Sequence, residues 1–229
     1  VTGTEFVRAR SPEAKRARED AILAAAARLA TAHGVREVTV TAIAEAVGMH
    51  KSAMLRYFET REQIFLRLAA DAWHAWSQDV RAGLADVPAA AADDPEWDEK
   101  ARTIADLMAR SLVDRPLFCD LLAHTALNLE RNVSHDSVRS FKRRAIAEVD
   151  SIGTALSAVT PLDADQARSV VTTATSMAGA LWQMAAPGTQ LRVFYQTDPE
   201  LSHSVVEVQP RLTDILSALL AGYADRGGR

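Results

Sequence analysis

Apolar residues recur every three or four positions along most of the chain, and no stretch sustains the alternation of a half-buried strand. The pattern predicts an all-α protein of about nine helices. Ser11 is placed to cap the first helix, Pro12 suits its first turn, and Glu13 faces the positive end of the dipole. Ile22, Ala26, Leu29 and Ala30 form its apolar stripe, and Gly34 stops it. Thr39 caps a second, short helix that turns Ile43, Ala44 and Val47 inward. Gly48 closes that helix in the left-handed conformation a tight turn needs. A third short helix is expected from about His50 to Phe58. Thr60 and Gln63 then read as a capping box opening a long fourth helix through Phe65, Trp73 and Trp76 to about Gly83.

Residues 87–95, with Pro88 and Pro95, read as a loop. Further helices are expected at about 96–113, 116–131, 134–159, 163–186 and 210–222, edged by Pro116, Pro161, Pro187 and Pro210. In the 134–159 segment Phe141, Ala145, Val149, Ile152 and Leu156 share one face. Residues 187–203 read as an ordered loop.

Composition narrows the class. At 48% hydrophobic and 24% charged, the 229 residues suffice for a core. The single cysteine, Cys119, rules out an intrachain disulfide and a paired-cysteine metal site, and reads as a small buried hydrophobe suited to a reducing cytoplasm. No apolar run approaches the ~20 residues that span a bilayer, and the start lacks a signal-peptide layout. The expected location is therefore cytoplasmic, with no membrane partner. The net charge of −4 conceals an asymmetry: residues 1–67 carry eleven Lys/Arg against eight Asp/Glu, the remainder fifteen against twenty-two. Local contact with a polyanion fits the basic end.

The informative stretch is 39–65, TVTAIAEAVGMHKSAMLRYFETREQIF. Two short helices joined by a glycine turn cannot bury themselves; they must pack on the 12–33 helix. Met54, Tyr57 and Phe58 then supply an inner face, while His50, Lys51, Ser52, Ala53 and Arg56 project outward. A helix of that width fits the major groove, where base edges are distinguishable, and small Ser52 and Ala53 let the backbone approach. This is the layout of a helix-turn-helix.

Over residues 12–66 the chain resembles the TetR repressors, with Thr39, Val40, Ile43, Ala44, Gly48, Lys51, Tyr57 and Phe58 carrying the likeness. The resemblance implies DNA contacts from Thr39, Thr41, His50, Lys51, Ser52, Ala53 and Arg56. It further implies that the Tyr57 hydroxyl and Arg61 each meet a phosphate. Lys15, Arg16 and Arg18, and with them Arg8 and Arg10, would add backbone or minor-groove contacts, although Arg8 and Arg10 read first as a solvated tail. Two positions depart from the family: His50 stands where Ser or Thr usually caps the recognition helix, and Leu55 where Tyr is common. Base readout is thus left open, and the docking mode is not. The implied organisation is an arm or tag remnant at 1–10, a helix-turn-helix at 11–60, and an effector-binding and dimerisation domain at 61–229.

Trp73, Trp76, Met108, Phe118 and Trp182 line an effector cavity or are plain core; helical spacing serves both. His124 and Asn128, four apart, supply polar anchors for a small, largely apolar ligand, or His124 is a satisfied buried histidine. Ala174, Ala178 and Leu181 with Leu212, Ile215, Leu216 and Leu219 form a two-fold four-helix interface, or close the domain on itself. His135 and Asp136 lack metal spacing, and no nucleophile–base pair or phosphate loop is present, so no metal, cofactor or catalytic residue is expected. The function that follows is a homodimeric, ligand-released repressor. The alternatives are a protein that sequesters a small molecule without regulating a promoter and, more remotely, an enzyme.

Overall fold

The computed structural model describes residues 12–91 and 94–227, with side chains as far as Ala224. The arm of residues 1–10, with Arg8 and Arg10, and the Ser11 cap lie outside the described residues. Among those described, every regular element is helical: α1 (Pro12–His33), α2 (Val40–Ala46), α3 (Lys51–Met54), α4 (Arg61–Ala85), α5 (Trp97–Val113), α6 (Pro116–His124), α7 (His135–Val159), α8 (Ala164–Ala185), α9 (Gln190–Thr197) and α10 (Val208–Gly227). A 3₁₀ turn, Val35–Glu37, joins α1 to α2.

Four elements differ from the expected pattern; one is α10, which runs Val208–Gly227 instead of about 210–222, so Pro210 lies inside its first turn and not at its edge. The third helix is shorter than expected, because the chain tightens after Met54: the Tyr57 N–H reaches back to the Met54 carbonyl at 2.9 Å. The 116–131 helix stops at His124 and continues as a wide turn, Thr125–Leu129, in which the Glu130 N–H donates to the Thr125 carbonyl at 3.3 Å. The expected 187–203 loop contains α9, capped by the Thr189 hydroxyl at 3.2 Å from the Arg192 N–H. None of its residues is buried, so it left no core periodicity to read.

In the larger unit α4 lies along α7, α5 along α10, and α6 along α8. Trp73, Trp76, Met108 and Phe118 sit at its centre as core. Trp76 and Met108 are fully buried, and the Trp73 ring meets the Trp76 and Phe118 rings edge-on at 5.6 and 5.5 Å. The Trp76 indole N–H donates to the Ser111 hydroxyl at 2.9 Å. Cys119 is buried as expected, and burial pushes its thiol up to about 12.

The expected dimer residues need correction. Ala174, Ala178, Leu181, Leu212 and Leu216 are buried within this one chain. The small residues of α8 admit α6: a Cβ on Gly179 would stand 2.8 Å from the Ala123 backbone nitrogen. Small residues permit close approach whether the neighbour is the same chain or another, so the stripe could not reveal which. Ile215 and Leu219 are half-buried.

Candidate nucleic-acid interface

Local chemistry builds the helix-turn-helix in order. The Thr39 hydroxyl caps α2, accepting from the Ala42 N–H at 3.1 Å. Gly48 takes the left-handed conformation, φ 65°, and the Met49 N–H closes onto the Ala44 carbonyl at 2.9 Å. His50 replaces the usual hydroxyl cap of α3: its Nδ1 accepts from the Ser52 N–H at 3.4 Å and lies 2.9 Å from the Ser52 hydroxyl. Met54 and Phe58 turn into the core. Lys51, Ser52, Leu55 and Arg56 are exposed; Ala53 and Tyr57 are half-buried. Thr39, Thr41 and His50 are exposed beside them. Met54 and Phe58 thus face inward and Lys51, Ser52 and Arg56 outward as expected, Ala53 and Tyr57 lie between the two sets, and Leu55 joins the outward one. On the first helix Lys15, Arg16 and Arg18 are exposed, Lys15 pairing with Glu19 at 3.7 Å.

Arg61 is not placed to meet a phosphate. Its guanidinium donates to the carbonyls of Val35, Arg36 and Val38, pairs with Glu62 at 3.1 Å, and stacks 4.7 Å above the Phe65 ring. It therefore ties the start of α4 to the connector between α1 and α2. Arg61→Ala is expected to cost about 1–3 kcal/mol, because buried carbonyls lose their donors. Thermal unfolding would register that loss, while the salt dependence of DNA binding stays as it was. Arg56→Ala should do the reverse, shifting stability by less than about 0.5 kcal/mol and changing sequence preference.

A second tie grips the same connector from α6. Asp120 on α6 is 9% exposed, and its Oδ2 accepts from the Val35 N–H at 2.6 Å. Its Oδ1 accepts from the Gln183 amide of α8 at 2.9 Å and stands 3.4 Å from His124 Nε2. Burial pushes this carboxyl up, but hydrogen bonds from His124, Val35 and Gln183 outweigh burial and hold it below the ordinary carboxylate range. Val35 is thus held at its N–H by Asp120 and at its carbonyl by Arg61.

A third tie joins the end of the helix-turn-helix to α7. Glu59 accepts from the Ser134 N–H and hydroxyl at 2.9 and 2.8 Å, and from the Ser137 hydroxyl at 2.9 Å. Those bonds, the Ser134 amide foremost, hold its carboxyl below the usual range. The predicted capping box is offset by one residue: Thr60 accepts from the Gln63 N–H at 3.2 Å, but Gln63 reaches back to the Glu59 N–H at 2.7 Å.

Between the end of α1 and the facing ends of α6 and α8 lies a cleft of about 530 Å³, lined among others by Val35, Pro116, Asp120, His124 and Trp182. Two of the expected effector residues, His124 and Trp182, line this cleft, and Trp73, Trp76, Met108 and Phe118 do not. His124 Nδ1 and Asn128 Oδ1 are buried without hydrogen-bond partners among the described residues. Among those residues no group of three potential metal ligands occurs, and no helix is long and apolar enough to cross a membrane.

Residues 22–68 match the family described as bacterial regulatory proteins, tetR family, and residues 70–227 match the tetracyclin repressor-like C-terminal domain. Among solved structures, the fatty acid degradation regulator FadR of Bacillus halodurans is 15% identical with a TM-score of 0.55, covering 89% of this chain and 97% of its own. FadR of Thermus thermophilus, in complex with lauroyl-CoA, is 18% identical with a TM-score of 0.54, covering 89% and 93%. RolR, in complex with resorcinol, is 16% identical with a TM-score of 0.51, covering 95% of each chain. At these identities the likeness shows a shared fold. No curated protein matches the chain.

Proposed function

The chain belongs to the TetR family of bacterial transcriptional regulators, and from that premise we propose a cytoplasmic homodimeric repressor, without enzymatic activity, that leaves its operator when a small molecule binds. The observation that carries the reading is the division of residues 50–58. Met54 and Phe58 anchor α3 to the core, and Lys51, Ser52 and Arg56 are left on an exposed face. In this reading residues 11–60 form the DNA-binding unit, residues 61–229 the effector and dimer unit, and α4 joins them. Lys51, Ser52, Ala53 and Arg56 enter the major groove. Thr39, Thr41, His50 and the Tyr57 hydroxyl meet its edges and phosphates.

Two copies must present this face about 34–36 Å apart to reach successive major-groove turns. Pairing uses the outer sides of α8 and α10, where Thr172, Ser176 and Ala180 are exposed and Ile215 and Leu219 half-buried. The cleft beside Asp120 is the proposed effector seat. Its volume suits a small molecule, and Asp120 on its wall holds the Val35 connector of the DNA-binding unit. A ligand there acts only through its different affinity for the two arrangements of the units. FadR with lauroyl-CoA and RolR with resorcinol support a ligand with an apolar body.

The test is selection from a random duplex library with the full chain, alongside sedimentation. The expected product is an inverted repeat with half-site centres about one helical turn apart, bound by a dimer. A pool that never enriches would overturn the reading and favour a protein that only sequesters its ligand.

A further inference from the structure

The DNA-facing segment contains one residue that no hydrogen bond explains. Leu55 is 41% exposed, while the neighbouring inward positions, Met54 and Phe58, fill the core without it. Its N–H donates to the Lys51 carbonyl at 3.1 Å, so Leu55 is still on the helical turn that carries Lys51. Leu55 is the residue that closes α3, and it is exposed together with Lys51 and Ser52 before it and Arg56 after it. A lone exposed leucine elsewhere on a surface would need no account. Here its exposed neighbours Lys51, Ser52 and Arg56 are the residues that, in the reading above, enter the major groove.

A leucine side chain neither donates nor accepts, so it cannot read guanine, adenine or cytosine by their polar edges. The major-groove edge offers one apolar feature, the C5-methyl group of thymine. Removing both groups from water is favourable, whereas leucine against a polar edge would strip water from groups it cannot replace. We propose that Leu55 is a specificity residue that packs on a thymine methyl in each half-site, adjacent to the bases reached by Lys51 and Arg56. This rests on the DNA-binding reading and adds to it a base identity.

The test uses the duplex enriched with the full chain. Each thymine of a half-site is replaced in turn by deoxyuridine, which removes the methyl and keeps every polar edge. One position is expected to weaken wild-type binding about fourfold, the worth of one buried methyl group. Leu55→Ala should bind the two duplexes alike, whereas Arg56→Ala should still distinguish them. Because Leu55 is exposed, Leu55→Ala should melt as wild type does, and circular dichroism checks this. A half-site without thymine, no methyl-sensitive position, or a sensitivity that survives Leu55→Ala would each overturn the proposal and leave DNA binding standing. A library that never enriches would overturn both.

Discussion

Asp120→Ala is expected to destabilise the protein by about 2–3 kcal/mol at neutral pH, the range for removing hydrogen bonds to a buried charged group. Three donors lose their acceptor at once: the Val35 N–H, the Gln183 amide and His124. The variant should also bind DNA more weakly although no residue of the exposed face has changed, because the 34–38 connector has lost one of its two ties. The pH dependence is fixed by the direction of the shift. A carboxyl held below its unfolded value stabilises fully above the ordinary carboxylate range and loses that contribution as pH falls through the folded value. The gap in melting temperature between wild type and variant should therefore be present at neutral pH and narrow in acid. Equal melting at pH 7, or a gap indifferent to acid, would show that Asp120 does not hold the connector.

Trp76→Ala is the larger perturbation. Truncating a fully buried tryptophan that is part of an aromatic cluster costs about 3–5 kcal/mol, and here the Ser111 hydroxyl loses its indole donor as well. Urea denaturation would show a midpoint far below that of wild type, with Trp76→Phe in between. A Trp76 that walled an effector cavity would behave differently: truncation would leave the midpoint almost in place and alter ligand response instead.

What the sequence revealed was governed by short-range chemistry. A hydroxyl at position 39, a glycine at 48 and a proline at 116 each act within a turn or two, so the helix-turn-helix and most helix boundaries were legible. Roles set by distant partners were not. Arg61 beside a helix N-terminus looks like a phosphate ligand until the Val35 and Val38 carbonyls, more than twenty residues earlier in the chain, are seen to hold it. Asp120 had no sequence signal, since its partner Val35 is 85 residues away. The aromatic spacing of Trp73 and Trp76 and the small-residue stripe of α8 are common to core, cavity and interface. Packing buries Trp73 and Trp76 and brings His124 and Trp182 to the cleft wall, and neither placement is written in the spacing.

The face carrying Lys51 and Arg56 is proposed to bind duplex DNA. Its most direct test is fluorescence anisotropy of a labelled selected duplex at several salt concentrations, with wild type and with the Lys51→Ala/Arg56→Ala double variant. The logarithm of the wild-type binding constant is expected to fall linearly with the logarithm of salt, and the double variant to bind more weakly with a shallower slope. Binding indifferent to salt, or a double variant indistinguishable from wild type, would contradict binding through this face.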